Sequence, residues 1–529
     1  MTIQEQNINE LLVFVKSKIG KPVNCQVVMA TIESMGVRDK DILSDYGMQS
    51  LTELSDYIYE HLCSVCNPVF QDKKQHNTTT AVSGYLRVKT KLFTIYYPLG
   101  LMHFIPVLVQ VIAIVLFGYS LWTYVGFNQL QSTAVVLGVI IGMICTGGYV
   151  QVIGRQASFY WNYKCYGLMN QTINYLVKLG VQSIVAVFAL LFTINFFMNI
   201  YPYSVLLIVF IYALLIGTLL LILAPMHTIK QRWIVSVVVG VGTITALLLK
   251  EMTLCNIYIT HWVGIIVAIL LSKLFLKYFF YKRTLKNEFQ KTSIKLQNII
   301  YHNHQYFFYG VLVYIFIFID RIFAWSSSLG RQLPYVIYYE KDYEIGMDLA
   351  ILVFLLLTGA MEYGVASFSK FLDLEQKNIS HSNRNVFGKS LLKLYWQHIA
   401  ILIFSSLSIF LLIYFIITSS WGYEAQFHET LNSLSIKVCV IGSLSYFFLA
   451  WAMLNSLYMF TLNRPKKAIK ALVISILVNL IVGMIMSRVY AFELSVVGLL
   501  MGSLTFLIIT LKDCMTFYKK LDYYYYAAY

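Results

Sequence analysis

KRTLKNEFQKTSIKLQNIIYHNHQ, residues 282–305, is the longest hydrophilic break after Thr79, and two apolar spans follow it. The first, YFFYGVLVYIFIFIDRIFAW (306–325), ends on an adjacent acid and base, Asp320 and Arg321. The second, IGMDLAILVFLLLTGAMEYGVASF (345–368), carries Asp348 and, inside its apolar run, Glu362. A membrane helix needs about 20 apolar residues, so each is long enough to cross a bilayer. Working outward, the same test gives spans near 99–122, 134–154, 178–199, 203–225, 231–250 and 255–278 before the linker. After it come 306–325, 345–368, 397–418, 436–462, 467–488 and 492–513. The pattern predicts an all-α polytopic membrane protein of about twelve spans, in two six-helix lobes that face each other. Residues 1–77 read as a small soluble helical domain and 78–98 as a linker leading to the membrane. The first lobe is then 99–281, the cytosolic linker 282–305, and the second lobe with its tail 306–529.

Composition agrees. Of 529 residues 58% are hydrophobic and 12% charged, with mean hydropathy +0.68; a soluble domain carries about 25% charge. The formal charge of +15 would suggest nucleic acid in a soluble protein. Here the cations stand in loops beside apolar spans, and a groove-reading basic face is missing, so nucleic acid is excluded as a partner. With the N-terminus in the cytoplasm, the inner loops hold Arg87, Lys89, Lys91, Arg155, Lys164, Lys230, Arg232, Lys282–Lys295, Lys370–Lys393, Arg464–Lys470, Lys519 and Lys520. The outer loops hold few: Lys250, Arg331, Lys341, Lys437 and Arg488. This bias predicts an even span count, a cell (inner) membrane location and both termini in the cytoplasm. The start, MTIQEQNINELL, has neither a basic n-region nor an apolar h-region, so no cleaved signal is expected. Of eight cysteines only Cys63 and Cys66 have ligand-like spacing, and a lone C-x-x-C is weak support for metal or redox work. No metal site and no catalytic residue is assigned. Gly138/Gly142 and Gly498/Gly502 are spaced for close helix packing.

In the N-terminal part, Ile8, Leu11, Leu12 and Val15 share one helical face, and a second helix is expected over Gln26–Met35. In LSDYGMQSLTELSDYI, Ser50 stands where a helix should begin, with Glu53 placed to complete a capping box. This stretch resembles the attachment motif of acyl and peptidyl carrier domains, in which Tyr-Gly-x-Asp-Ser-Leu precedes the second helix. The likeness covers about 26–62, with Gln49 where the family has Asp. It implies phosphopantetheine on Ser50 as a possible cofactor, and biosynthetic enzymes docking on this domain as partners.

Charged and polar groups inside spans usually face a cavity or pathway. Asp348 and Glu362 are 14 residues apart, close to four turns, so they share a face about 21 Å apart along the axis. With Asp320, Arg321, His103, Gln110 and Arg155 they make up the candidate transport pathway. Asp320 and Arg321 can also be read as a pair that sets helix depth at the headgroups. Asn170, Gln171 and Asn174 are either polar glue or cavity lining.

Twelve spans split six and six by a cytosolic linker resemble the multidrug/oligosaccharidyl-lipid/polysaccharide exporter superfamily. More narrowly, IFIFIDRIFAWSS, the outer loop with YVIYYEKDYE and the span with Glu362 resemble the inner-membrane export proteins of the Pel exopolysaccharide system, over about 306–369. The resemblance implies alternating access: two lobes rock about a polar cavity and export a polysaccharide, glycolipid or lipid-linked metabolite. Membrane lipids and that substrate are then the partners, with Arg155 and the linker lysines attracting an acidic or phosphate-bearing headgroup. A rival is a polytopic acyltransferase that takes an acyl group from the carrier-like domain, with His261 or His398 as base. A third reading is a scaffold without transport. No nucleotide-binding or metalloprotease motif is present.

Overall fold

The computed structural model describes residues 3–19, 22, 25–35, 37–65, 82–284, 296–329, 332–378, 384–419 and 430–519. Its two units are Met1–Arg87 and Val88–Tyr529. In the first, α1 (Ile3–Ile19), α2 (Cys25–Ser34), α3 (Asp39–Asp45) and α4 (Leu51–Val65) enclose a small core. Leu11, Val15, Val28, Ile32, Ile42, Leu54, Ile58 and Leu62 fill it. Of the face read from sequence on α1, Leu11 and Val15 are in this core, whereas Ile8 and Leu12 are half-buried. Side-chain amides tie α1 to the end of α3: Gln4 donates to the Ser44 carbonyl and Asn7 to that of Asp45. Asp39 accepts the Leu51 N–H at 3.1 Å, which fixes the start of α4.

The second unit contains α5 (Val82–Leu101, whose first residues belong to the first unit), α6 (Ile105–Phe117), α7 (Gln129–Asn162), α8 (Tyr166–Met198), α9 (Tyr203–Thr228), α10 (Trp233–Met252) and α11 (Ile257–Thr284). It continues with α12 (Leu296–Trp325), α13 (Lys341–Asn378), α14 (Arg384–Thr418), α15 (Ser433–Thr461), α16 (Pro465–Ile485) and α17 (Ser495–Lys519). Among the described residues eleven helices are long and apolar enough to cross a membrane, and α5 with α6 makes a twelfth span, broken by 45°. The six-and-six division holds: α6–α11 pack among themselves, as do α12–α17, and α7 with α12 joins the two lobes. The expected packing glycines do what their spacing suggests. A Cβ on Gly142 would lie 2.8 Å from the Ala213 carbonyl of α9, and one on Gly502 3.0 Å from the Ser475 carbonyl of α16.

Three sequence boundaries need correction. The first span is not one helix over 99–122. It begins by Arg87, breaks after Leu101, resumes at Ile105 and ends at Phe117, where Gly118 adopts a left-handed φ of +60°. Pro98 and Pro106 bracket the break, and proline disrupts the helical hydrogen-bond ladder. Second, residues 296–305 of the expected linker are the first turns of α12, and Ile299 and Asn303 are buried there. Third, most of the polar stretch 372–391 is the end of α13 and the start of α14. The Cys66 half of C-x-x-C and the 521–529 tail lie outside the described residues.

Candidate functional site

The break in the first span creates the site. Around it the turns tighten: His103 N–H donates to the Gly100 carbonyl and Phe104 N–H to that of Leu101. The Leu99 carbonyl loses its ladder partner, and Arg232 takes its place, donating from Nη1 at 3.0 Å. The same Nη1 lies 3.3 Å from His103 Nε2. Arginine only donates, so that imidazole nitrogen accepts. Nη2 reaches Glu362 Oε1 at 2.7 Å. His103 also stacks on His227, with centroids 4.5 Å apart. One guanidinium from the first lobe thus gathers the broken span, two histidines and the buried-span acid of the second lobe.

The two halves of that span belong to different lobes. α5 lies on the second lobe: Lys89 donates to Gln397 at 2.6 Å, Tyr97 to Ser405 at 3.3 Å, and Phe93 packs edge-on against Tyr363. Gly100 allows this approach, since a Cβ there would lie 2.6 Å from the Thr358 carbonyl. α6 lies on the first lobe, where Gln110 donates to Thr243 at 2.9 Å and accepts the Leu121 N–H at 2.8 Å. Gln110 is fully used in this packing and does not line a cavity.

Along the other edge the lobes meet at a seam in which α7 packs on α12. At the end nearer residues 282–305, Arg155 donates to Asn463 Oδ1 at 3.1 Å and lies 3.8 Å over the Tyr306 ring. Tyr306 donates to the same oxygen at 3.2 Å, and Asn303 to Gln156 at 3.1 Å. Midway, Gly147 faces Gly310; a Cβ on Gly147 would lie 2.8 Å from the Gly310 carbonyl. At the far end the Tyr339 N–H donates to Thr133 Oγ1 at 3.0 Å, and Tyr201 donates to the Ile337 carbonyl. A pocket of about 340 Å³ remains at the linker end of this seam.

Among the described residues the lobes part between α5 and α6, the start of α7, α13 and α14. There they leave a cavity of about 1530 Å³. Leu108, Val111, Ile112, Val136, Leu352, Leu356, Phe404 and Leu412 line it, with Gln129, Ser132, Lys341 and Asp348 among its polar groups. Leu108, Ile112, Phe404 and Leu412 are exposed, so much of the apolar wall is accessible.

Asp320 and Arg321 do not pair with each other. Neighbours in sequence on a helix point in different directions. Asp320 accepts from Tyr343 at 2.7 Å, and Tyr343 accepts from Ser495 at 3.0 Å. Arg321 is bonded to Glu344 and lies 3.3 Å from Asp348. Asp320, Arg321 and Glu344 are buried, whereas 67% of the Asp348 side chain is exposed, facing the cavity. The cluster is therefore buried inside the second lobe, between the end of α12 and the start of α13. Asp348 and Glu362 serve different places, the cavity and the Arg232 junction. Asn170 and Asn174 bond to each other on an exposed face of α8.

His261 is buried against the Tyr212 hydroxyl at 2.7 Å, and His398 against Tyr458 at 2.8 Å. Neither has a carboxylate bonded to it among the described contacts, so the base–acid pairing an acyltransferase would use is missing there. Among the described residues no cluster of His, Cys, Asp and Glu could hold a metal ion. Ser50 is exposed at the start of α4; its Oγ accepts the Glu53 N–H at 3.2 Å, and Glu53 accepts the Gln49 N–H at 2.8 Å. This is the expected reciprocal cap, shifted by one residue. The helix it opens is the fourth of the unit, whereas the carrier motif precedes the second.

Solved structures share this architecture. A MATE in complex with MaD3S superimposes with TM-score 0.55 at 13% identity, covering 82% of this chain and 97% of that one. The chain has the MATE fold. A MATE in the bent conformation matches with TM-score 0.52 at 12% identity over 82% of this chain and 97% of its own. An inward-facing multidrug resistance MATE family transporter of the MOP superfamily matches with TM-score 0.51 at 12%, over 78% and 99%. The expected superfamily resemblance is therefore met at the level of the MATE fold. No protein-family model and no curated protein matches the sequence.

Sequence reasoning missed Arg232, His227, Glu344 and Tyr343. Arg232 was grouped with loop cations because it precedes α10, and Glu344 with the outer segment because it follows Tyr-rich sequence. A signal existed for Arg232. Glu362, an acid in an apolar span, needs a cation from another span's end, and Arg232 flanks a span at the same level.

Proposed function

We propose that this protein is a membrane transporter that moves an amphiphile carrying a lipid tail from the linker face to the opposite face by alternating access. The substrate class is a lipid-linked glycan, a glycolipid or a lipid-linked metabolite. The observation that carries this reading is the one-sided opening. The lobes are closed along α7–α12 and at the Arg232–Glu362 junction, yet part beside α6, α13 and α14 around an apolar cavity of about 1530 Å³. A wall this apolar offers an aqueous solute few partners and suits a lipid tail. One superimposing fold is an inward-facing multidrug resistance MATE family transporter, which supports closure on the other side. With the positively charged loops inside, the linker face is cytosolic and transport is export from the inner membrane. The N-terminal unit serves as a recruiting or hand-over module. Exposed Ser50 is where a phosphopantetheine would be carried, its phosphate favoured by the start of α4.

The test is reconstitution in proteoliposomes with a fluorescent isoprenyl-diphosphate-linked glycan, following its accessibility to an external quencher. Protein-dependent transfer, blocked when cysteines replacing Leu108 and Leu352 are bridged across the cavity, is expected. Folded protein that gives no transfer for glycan, glycolipid or lipid-linked probes would overturn the reading.

A further inference from the structure

The pocket of about 340 Å³ at the linker end of the seam has a chemistry unlike the large cavity. Gln151, Gly154 and Arg155 of α7, His227 and Thr228 of α9, and Tyr306 of α12 contribute to its wall. Among the described residues no carboxylate lines it. Arg155 is half-buried and is held by neutral groups, the Tyr306 ring and the Asn463 amide oxygen, with no ion pair among the described residues. A cation in a membrane-spanning unit without an acid is costly and marks a ligand pathway. Opposite it, His227 Nδ1 is buried and has no hydrogen-bond partner. A Cβ on Gly154 would meet nothing within 4 Å, so the space beside the guanidinium is open. The volume is at the lower end for small-molecule sites.

We infer that this pocket binds the phosphate or diphosphate group of the substrate. The inference rests on the transport reading for the substrate's tail but not for the anion itself. A guanidinium presents a planar fork of donors that matches phosphate oxygens, and His227 Nδ1 supplies another donor when it carries the proton. Arg155 now donates to Asn463, in the turn between α15 and α16, so an anion would exchange a bond between the lobes for one with the ligand. Binding at the linker face is thereby linked to loosening of that face.

The test uses the full chain in phosphatidylcholine nanodiscs, with labelled farnesyl diphosphate as probe and farnesol and inorganic pyrophosphate as competitors. Saturable binding is expected, weakened at least about tenfold by Arg155→Ala, the loss of one charge-assisted contact. Arg155→Lys should lose less. Gly154→Leu, which fills the pocket and keeps the arginine, should also weaken binding and guards against a misfolded Arg155→Ala. Farnesol should not compete. Pyrophosphate competing far more weakly than the unlabelled lipid supports a lipid headgroup as ligand; equal competition supports a free anion and overturns the substrate assignment. Unchanged binding in both variants, or competition by farnesol, overturns the pocket. Arg155-dependent binding without any transbilayer transfer would sink the transport reading alone.

Discussion

Replacing Glu362 by Gln tests the junction at the break most directly. The change keeps shape and a hydrogen-bond acceptor but removes the charge facing Arg232. The side chains are 13% and 31% exposed, so the pair lies between the exposed kind, worth about 0.2–1 kcal/mol, and the buried kind, whose rupture costs about 3–5 kcal/mol. Arg232 keeps the Leu99 carbonyl and His103, which limits the loss. About 1–2 kcal/mol is expected, a factor of about 5–30 in population. Because one partner belongs to each lobe, the loss falls on the equilibrium between closed and open linker faces. A cysteine in place of Ala224, which lines the pocket at that face, reports the open fraction through its maleimide labelling rate in a background without the native cysteines. The rate should rise about 5–30-fold in Glu362→Gln and comparably in Arg232→Gln. The double variant should add little, as for residues in direct contact. Unchanged labelling, or additive effects, would refute the idea that this pair holds the face shut.

Other perturbations follow from the same contacts. Gly310→Ala puts a methyl group against the Gly147 carbonyl and should cost about 1–3 kcal/mol of packing, read as a lower melting temperature in detergent. Arg321→Met strips Glu344 and Asp348 of their shared cation and should destabilise by about 3–5 kcal/mol, with Arg321→Lys milder; equal melting of Arg321→Met and wild type would contradict the cluster. Ser50→Ala should loosen the first turn of α4 by about 1 kcal/mol, seen as faster amide exchange at Glu53, while Ser50→Asp restores protection. Intact-mass measurement of the purified chain checks hand-over: a phosphopantetheine increment that vanishes in Ser50→Ala supports it, and its absence after co-expression with a loading enzyme removes it.

The span count was legible because solvent dictates it: a bilayer admits helices of a set length, and apolar windows report that length directly. The helical stripes of α1 and α4 were legible for the same kind of reason, through the 3.6-residue period. What escaped was where side chains meet. The adjacency of Asp320 and Arg321 suggested a pair, but helix geometry turns them apart and sends each to a partner more than 20 residues away. The prolines at 98 and 106 were visible, yet the hydrophobic window ran through them. An apolar sum does not register a broken ladder. Glu362 stands out in the sequence as an acid in an apolar span. Its partner Arg232 is 130 residues away, and only its place at the end of another span points to it.

The distribution of polar contacts between the lobes fixes which motions are cheap. The Asp320–Arg321–Glu344–Asp348 cluster and its Tyr343–Ser495 extension lie wholly within the second lobe, so rocking the lobes leaves their energy unchanged. The seam runs from Arg155 and Asn463 to Thr133 and Tyr339, and at its middle Gly147 and Gly310 bring two backbones together with Tyr314 and Gln151 packed beside them. A close backbone crossing resists separation more than rotation, which suits an axis. The Arg232–Glu362 junction lies at the opposite edge, where α5 on one lobe becomes α6 on the other. Swinging the lobes about the seam must therefore bend the broken span at 102–104, where its ladder is already interrupted and Arg232 already holds the freed carbonyl. Opening the linker face exchanges the Arg232–Glu362 bond for closure of the apolar cavity. On the proposed reading, burying that cavity is unfavourable while a lipid tail occupies it and favourable once it leaves, so the tail's departure would drive the return.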